Sequence, residues 1–354
     1  MSRDKKWELD LSEYIREGEP DRVTKSTAWR TAIGLQDVDG LTTSEYLLST
    51  AKEHIEGHID MAAVKQRIQS YYEESDERRA DTSTREADLV SARITELLSE
   101  QSFSFSPAEL QNIHKRLFIG VFSHAGELRT FNITKKEWVL NGETVLYGSA
   151  SSIRETLAYD FTEEKRFEYK GLSVPEAIKH IAKFVAGVWQ IHPFAEGNTR
   201  TTAVFLIKYL QSFGFKANND VFAANSWYFR NALVRANYND LQDDIHATPL
   251  FLERFLENLL TGAKHELKNR YLHIDFQSDI PTVSKCQNVT LNCTLEELAV
   301  LSLLKKNSKM TQKQIALELG KSDRTVKRMM AALQEKGYLE RKNGKRNGYW
   351  ETEV

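Results

Sequence analysis

Residues Trp189–Leu210 read WQIHPFAEGNTRTTAVFLIKYL and decide the fold of the central part of the chain. Apolar residues recur with helical spacing on both sides of a short polar loop, so we predict two apolar helices joined by that loop. The second helix begins with unpaired backbone N–H groups and with the positive end of its dipole. The loop is therefore suited to binding an anion such as a phosphate group.

Four side chains in this stretch have the chemistry of nucleotide transfer. His192 titrates near neutrality and can take a proton from an attacking hydroxyl. Glu196 can bind Mg2+ together with substrate phosphates, and Asn198 and Arg200 can donate to phosphate oxygens. Each residue also has an ordinary structural interpretation, as a helix end, a solvated turn residue or an N-cap. Their occurrence together between two apolar helices favours transfer from a nucleotide.

The composition is that of an ordinary globular protein. The chain has 354 residues, of which 41% are hydrophobic and 28% charged, and its net charge is -2. These values exclude collagen-like, disordered and membrane-spanning classes. The start of the chain has no apolar stretch typical of a secretory signal, so we expect a cytoplasmic protein without membrane contact. The two cysteines, Cys286 and Cys293, do not favour a disulfide scaffold.

The apolar pattern predicts a mainly α-helical protein in four parts. These are a small helical cap at 1–75, a main domain at 76–272, a linker at 273–293 and a C-terminal unit at 294–354. The charged stretch at 74–86 lacks apolar periodicity and is interpreted as a connection, although a charge-rich connection can also be helical on the surface. Within the main domain, KEWVL and TVLYG flank Asn141-Gly142, which predicts a β-hairpin at Lys135–Tyr147.

The C-terminal unit has the pattern of three helices followed by a two-stranded wing, which resembles a winged helix-turn-helix. Leu319-Gly320 would form the turn, and Ser322 would cap the recognition helix. Lys321–Arg346 contains nine basic and three acidic residues, which favours DNA binding. The residues that we expect to contact DNA are Arg324, Lys327, Arg328, Arg341, Lys345 and Arg346. The same surface also suits protein contact or dimerisation, so a homodimer stays open.

The central loop resembles the motif of the Fic family, HxFx(D/E)GNGRxxR. Upstream HAGELRT, the hairpin and downstream WYFRNALVRANYNDL extend this resemblance over roughly Leu89–Leu260. The resemblance implies a helical domain that transfers AMP from ATP to a hydroxyl side chain of a target protein or of the protein itself. By position it makes His192 the general base and Glu196 the Mg2+ ligand. It places the phosphate cradle at Gly197, Asn198, Thr199 and Arg200.

The hairpin is similar to the segment that forms a flap over the target in Fic proteins. The resemblance implies that the flap pairs with an extended target segment and presents its hydroxyl to His192. The flap residues expected to bind the target are Lys135, Lys136, Glu137, Trp138, Val139 and Tyr147. A structural ribbon that supplies apolar residues to the core is the alternative.

The chain departs from the Fic motif at two positions. Thr199 replaces the second glycine, which adds a Cβ and a hydroxyl to a tight anion loop. Ala203 replaces the second arginine and removes a charge that meets the γ-phosphate in the family. These departures leave the donor nucleotide open, and with it whether transfer occurs.

The N-terminal stretch AIGLQDVDGLTTSEYLLSTAKEHIEGHI is similar to VbhA-type antitoxin helices. Two registers place either Asp39 or Glu56 where the inhibitory glutamate lies, and neither matches fully. A cap that only packs on the core is equally compatible with this sequence. In the family the inhibitory glutamate holds the second arginine of the motif. Because that position is Ala203, we expect Asp39 to have no arginine partner there.

Two hypotheses of function follow. The first is a Fic-type protein adenylyltransferase that uses ATP and Mg2+ and is regulated by its cap. The second is a DNA-binding regulator whose degenerate Fic domain senses a nucleotide without transferring it. The sequence does not identify the target protein or the DNA site.

Overall fold

The computed structural model describes residues 20–215, 220–276, 292–343 and 348–353, and it is predominantly helical. The helices in these residues are α1 (Pro20–Gly34), α2 (Glu45–Glu56), α3 (Met61–Glu73), α4 (Asp76–Ala80), α5 (Thr82–Ser99), α6 (Pro107–Phe118), α7 (Ile153–Arg166), α8 (Val174–Ile191), α9 (Asn198–Ser212), α10 (Asp220–Ala236), α11 (Leu250–Thr261), α12 (Leu295–Lys306), α13 (Gln312–Leu319) and α14 (Asp323–Glu335). Strands β1 (Leu339–Lys342) and β2 (Tyr349–Thr352) form an antiparallel pair. The predicted mainly α class is confirmed. No helix in the described ranges is long and apolar enough to cross a membrane.

Helix α9 lies at the centre of the main domain. Every residue from 198 to 210 is buried, because α5, α6 and α8 surround the helix. Helix α8 has a capping box at Ser173 and buries most of its apolar residues against the same core. The loop between α8 and α9 is therefore held by two helices that cannot shift without disrupting close packing.

The N-terminal cap has a small core of its own and is also joined to the main core. Trp29 and Ile33 of α1 pack with residues of α2 and α3, whereas Ala28 and Ala32 of the same helix belong to the main core. The indole Nε1 of Trp29 donates to Nδ1 of His54 across 3.0 Å in the buried interior. Helix α1 therefore attaches the cap to the main domain.

The connection expected at 74–86 is largely helical. Ser75 caps α4, and Asp81 accepts a hydrogen bond from the backbone N–H of Thr84 at the start of α5. Such caps satisfy the free N–H groups of a helix terminus and allow a charged surface sequence to form helix. The Asp81 carboxylate has a pKa below its ordinary value because it accepts from the backbone and side chain of Thr84.

The predicted hairpin at Lys135–Tyr147 is also wrong as a strand pair. The turn is present, with Asn141 and Gly142 at positive φ of 55° and 90°, and the N–H of Glu137 donates to the carbonyl of Glu143 across 3.0 Å. Residues Trp138–Leu140 instead form a 3-10 turn that places Val139 in the core. Burial of these apolar residues replaces a regular strand ladder, which agrees with the ribbon alternative.

The C-terminal unit is a winged helix formed by α12, α13, α14 and the β1–β2 pair. Gly320 ends α13 in the left-handed conformation, and Ser322 accepts a hydrogen bond from Thr325 at the start of α14, as predicted. The unit packs on the main domain: the N–H of Val174 donates to the carbonyl of Cys293 across 3.0 Å. A Cβ on Gly214 would lie 2.7 Å from Cδ2 of Leu319. Most of the predicted linker at 273–293 lies outside the described residues.

Candidate functional site

The loop between α8 and α9 makes two tight turns. His192 ends α8 in the left-handed conformation, with φ of 50°, and its N–H donates to the carbonyl of Trp189 across 3.0 Å. Gly197 precedes α9 with φ of 70°, and a Cβ at this position would lie 2.4 Å from the ring of Phe118. Only glycine fits both the backbone conformation and this close approach. No side chain caps the N-terminus of α9, so its first N–H groups stay available for an anion.

The His192 imidazole has the properties of a proton acceptor. The side chain is buried, and its Nδ1 lies 3.2 Å from the carbonyl oxygen of Trp189. We assign the ring proton to Nδ1, which leaves a lone pair on Nε2. This Nε2 is buried and has no hydrogen-bond partner among the described residues. Burial, followed by the charge of Lys135, holds the pKa of His192 well below its ordinary value, so the ring is neutral at neutral pH.

Asn198 braces the loop. Its Oδ1 accepts from the N–H of Phe194 across 3.0 Å, and its Nδ2 donates to the carbonyl of the same residue across 2.7 Å. Both ends of the amide are therefore used within the protein. The side chain fixes the loop conformation and uses one of its two N–H donors to do so.

The departure at Thr199 is matched by Trp189. The indole Nε1 of Trp189 donates to Oγ1 of Thr199 across 3.0 Å, and both side chains are buried. The threonine hydroxyl thus satisfies a buried N–H that would otherwise carry a desolvation cost of roughly 1–3 kcal/mol. Ala203 is completely buried on α9, a helix that contacts the 3-10 turn Leu35–Asp39 of the cap.

Arg200 forms an ion pair with Asp39 and donates hydrogen bonds to Gln36 and Glu86, which come from distant parts of the chain. Its Nε lies 2.8 Å from Oδ2 of Asp39, its Nη1 donates to Oε1 of Gln36 across 3.0 Å, and its Nη2 donates to Oε1 of Glu86 across 2.5 Å. The arginine side chain is 2% exposed, and its guanidinium lies over the ring of Phe118 at 4.8 Å. Ala203 offers Asp39 no ion pair, and the cap reaches the first arginine of the motif instead.

The other register of the cap does not reach the loop. Glu56 lies at the end of α2 and pairs with Arg22 at 3.2 Å. Glu86 and Gln36, which do hold Arg200, were missed by the sequence analysis. They lie 114 and 164 positions from Arg200, and no local pattern marks them.

Glu196 is exposed at the tip of the loop, and its backbone carbonyl is held by His114. The Nε2 of His114 donates to that carbonyl across 3.0 Å, and its Nδ1 accepts from the N–H of Gly126 across 2.8 Å. The ring stacks on Phe194 with centroids 3.8 Å apart. Burial lowers the pKa of His114 to about 4, so the ring is neutral and can both donate and accept. His114 was not among the residues predicted from the sequence to lie in the site.

Arg129 joins the loop to the flap through backbone carbonyls alone. Its Nε donates to the carbonyl of His192 across 2.7 Å, and its Nη1 donates to the carbonyl of Phe131 across 2.6 Å. Its Nη2 donates to the carbonyl of Ile191 across 3.1 Å and to the carbonyl of Gly148. The segment HAGELRT contains this residue, although no pattern indicated that it would bridge both ends of the flap. Burial lowers the pKa of its guanidinium.

The flap residues divide into two groups. Glu137, Val139 and Tyr147 are buried: Glu137 accepts from the hydroxyl of Tyr147 across 3.0 Å and pairs with Arg230 of α10 at 2.6 Å. The Tyr147 ring lies 4.3 Å from that of His192, between centroids. Lys135 is half-buried, and Lys136 and Trp138 are exposed. The outer side of the flap therefore carries positive charge and an exposed indole.

The basic residues of the winged helix also divide into groups. Arg324, Lys327 and Arg328 are exposed on α14 and make no ion pair within the described part of the chain. Arg341 lies over the ring of Trp350 at 4.7 Å. Lys345 and Arg346 lie outside the described residues. The recognition helix thus presents three cations that have no acidic partner among the described residues.

Comparisons with known proteins support the family resemblance. Residues 104–210 match the Fic/DOC family, and residues 297–340 match winged helix-turn-helix DNA-binding domains. The chain therefore contains a Fic/DOC domain and a C-terminal winged helix, and both resemblances are confirmed. The likeness of the N-terminal cap to an antitoxin stays a prediction.

Two curated relatives and one solved structure are similar to this chain. "Protein adenylyltransferase VbhT" of Bartonella schoenbuchensis is 24% identical over 217 residues, which are 60% of this chain and 42% of that protein. "Probable protein adenylyltransferase y4lH" of Sinorhizobium fredii is 28% identical over 157 residues, 43% of this chain and 75% of that protein. The crystal structure of a Fic family protein from Desulfovibrio desulfuricans G20 has a TM-score of 0.46 at 13% identity, covering 98% of this chain and 94% of that chain. The match to VbhT thus spans about two fifths of its length.

Proposed function

We propose that the Fic/DOC domain transfers AMP from ATP to a hydroxyl side chain of a target protein or of the chain itself. The observation that carries this proposal is the neutral, buried His192 with a free Nε2, placed directly before the uncapped N-terminus of α9. The similarity to two proteins named as adenylyltransferases supports the same kind of reaction.

The reaction follows from these groups. Nε2 of His192 accepts the proton of the target hydroxyl as its oxygen bonds to the α-phosphorus of ATP. The bond between the α-phosphorus and the bridging oxygen breaks, and pyrophosphate leaves. The N–H groups at the start of α9 stabilise the negative charge that develops on the phosphate oxygens.

Mg2+ fits this arrangement through Glu196. The carboxylate is exposed at the loop tip, and Mg2+ is commonly bound by one or two protein carboxylates together with substrate phosphates. When bound, the ion would neutralise charge on the leaving phosphates. The described residues bring no cluster of three metal-binding side chains together at this loop, which suits an ion that arrives with the nucleotide.

The flap is proposed to bind the target segment. Lys135, Lys136 and Trp138 lie toward its outer side, and Leu146 is 85% exposed although it follows the buried Val145. An extended peptide could add to this edge through backbone hydrogen bonds and bury the exposed leucine. This would bring a hydroxyl of the target toward His192.

The cap is proposed to restrain the domain through Arg200. Asp39 and Glu86 occupy the guanidinium that would otherwise bind phosphates, so ATP must displace at least one carboxylate. Docking of the cap and productive binding of the nucleotide therefore compete for the same cation. Expulsion or rearrangement of the 3-10 turn Leu35–Asp39 would remove Asp39 and Gln36 from Arg200 and leave Glu86 of α5 as its remaining carboxylate.

Mass spectrometry of the full chain incubated with Mg2+ and each nucleoside triphosphate tests the proposal. We expect the mass of one AMP to be added with ATP and not after the substitution His192→Ala. Addition of a different nucleotide would correct the donor. Equal modification of parent and variant would exclude His192 as the base.

A DNA-binding regulator with a nucleotide-sensing Fic domain is the second candidate. It is favoured by the three exposed cations of α14 together with an Arg200 that is already bound by carboxylates. Nucleotide binding without any mass change, coupled to a change in DNA affinity, would support this candidate over transfer. A homodimer and a cytoplasmic location also stay proposals.

A further inference from the structure

A cleft of about 310 Å³ lies between the N-terminal cap and the Fic domain, and its lining includes no residue of the His192 loop. Its walls are α3 of the cap, α5, and the turn at Gly120 that follows α6. Ile68 and Leu89 give the cleft an apolar wall. Its volume lies at the small end of the range of ligand sites, roughly 300–1,000 Å³.

Two arginines of α5 supply the charge of this cleft. Successive residues of the set Arg85, Leu89 and Arg93 are four positions apart, so all three lie on one face of the helix. The Arg85 side chain makes no hydrogen bond or ion pair within the described ranges. Arg93 donates from Nη1 to the carbonyl of Leu117 across 2.9 Å, and no carboxylate of the described chain pairs with it. Burial and then the charge of Arg85 lower the pKa of Arg93.

The remaining polar side chains of the cleft are already bonded within the protein. These pairs are Lys65 with Glu96 at 2.7 Å, Tyr72 with Asp88 at 2.7 Å, and Gln69 with Glu73 at 2.8 Å. Among the described lining residues Glu73 is the only carboxylate, and it accepts a hydrogen bond from the Gln69 amide. What remains for a ligand is two guanidinium groups beside an apolar wall.

We propose that this cleft binds a small phosphate-bearing molecule, with its phosphate between Arg85 and Arg93 and its apolar part against Ile68 and Leu89. Guanidinium groups form forked, charge-assisted hydrogen bonds with phosphate oxygens. A phosphate would also offset the repulsion between the two cations. This site does not depend on the proposed transfer reaction.

The position of the cleft lets its ligand stabilise the contact between the cap and the main domain. Arg85 is followed by Glu86, which holds Arg200, and α3 belongs to the cap. A ligand that bridges α3 and α5 binds only the docked cap and stabilises it by mass action. We therefore expect hydrogen exchange in α3 to slow when the ligand binds.

Titration calorimetry of the full chain at low ionic strength, with inorganic phosphate and separately with AMP, tests the proposal. We expect Arg85→Gln to weaken binding by roughly tenfold or more, since a hydrogen bond to a charged group is lost. Arg93→Gln should have the same effect. Arg154→Gln removes an equal charge from the exposed surface of α7 and serves as the control.

The outcomes separate clearly. Tighter binding of AMP than of phosphate, with both weakened by Arg85→Gln, supports the proposal and assigns a role to the apolar wall. Binding of phosphate alone, weakened in the same way, supports it for phosphate itself. Absence of binding overturns it, as does binding that Arg85→Gln and Arg93→Gln leave unchanged. An equal loss in Arg154→Gln would indicate general charge attraction and would also overturn it. Because Arg85 is half-buried and unbonded, Arg85→Gln should leave the fold intact even if Arg93→Gln disturbs the end of α6.

Discussion

Removal of the two carboxylates that hold Arg200 should release the nucleotide site in a graded way. The side chain of Glu86 is 18% exposed and that of Asp39 is 40% exposed, whereas Arg200 is 2% exposed. A hydrogen bond to a charged group contributes about 1.5–3 kcal/mol to stability. We apply this range to the bond from Arg200 to Glu86. Solvent screening reduces the contribution of the more exposed Asp39 to about 0.5–1 kcal/mol.

These magnitudes convert into affinity for ATP. If phosphates must displace each carboxylate, Asp39→Asn should raise the affinity by about two- to fivefold and Glu86→Gln by about tenfold or more. The double variant leaves a buried cation with only Gln36, which costs about 3–5 kcal/mol of stability. ATP should restore much of that loss, because it binds the folded state alone.

Equilibrium binding of Mg2+-ATP, together with thermal unfolding in its presence and absence, measures both effects. Glu56→Gln is the matched control, because Glu56 pairs with Arg22 away from the loop. Competition between the carboxylates and ATP for Arg200 is refuted if Asp39→Asn raises the affinity for ATP as much as Glu86→Gln does. It is also refuted if the double variant binds ATP no better than the parent. An effect of Glu56→Gln would favour the other register of the cap.

Three further predictions concern the base, the fold and DNA. His192→Ala should lower the rate of transfer by roughly 10²–10⁴-fold and leave the nucleotide affinity unchanged. In the parent, kcat/KM should begin to fall with decreasing pH only below the ordinary histidine pKa, because burial lowers the pKa of His192. A fall that begins at or above that pKa would contradict a buried, neutral ring. The pKa of His114 is about 4 in the folded protein and about 6.5 in the unfolded chain, so the free energy of unfolding should fall by up to about 3 kcal/mol as the pH drops from 6.5 to 4. Urea unfolding across this pH range should show a smaller fall in His114→Gln than in the parent. An equal fall in both proteins would remove His114 as its cause. Neutralising Arg324, Lys327 and Arg328 together should weaken binding to duplex DNA and reduce the slope of log K against log salt concentration by about 0.9 per lost phosphate contact. Lys342→Gln should change DNA affinity little, because Lys342 pairs with Glu351 at 3.3 Å. An unchanged slope in the triple variant would favour a protein-contact role for the winged helix.

Local chemistry allowed much of this protein to be predicted from its sequence. The loop of His192 and Gly197, the uncapped start of α9, and the turn and cap of the winged helix at Gly320 and Ser322 all depend on residues within a few positions of one another. Helical periodicity, capping and glycine turns act at that range, so these features were predicted correctly. In the charged segment at 74–86, caps at Ser75 and Asp81, and not apolar periodicity, define the helices.

The flap shows where local signals end. Asn141-Gly142 correctly predicted a turn, but the sequence did not show that Val139 would be buried or that Glu137 would pair with Arg230. Burial of apolar side chains against the core replaced the regular strand pair. The preference for a hairpin is weak compared with the free energy of burying such residues, about 1.5–3 kcal/mol for each large apolar side chain.

The sequence by itself allowed a prediction of which loop residues carry the chemistry, and the tertiary structure decided what those residues contact. Arg200 was predicted to bind phosphate, and its partners Asp39 and Glu86 come from the cap and from α5. Arg129 likewise contacts carbonyls on both sides of the flap, and Thr199 finds its partner in Trp189. Such contacts depend on how whole helices pack, because a buried charge or N–H must find a partner wherever packing places one.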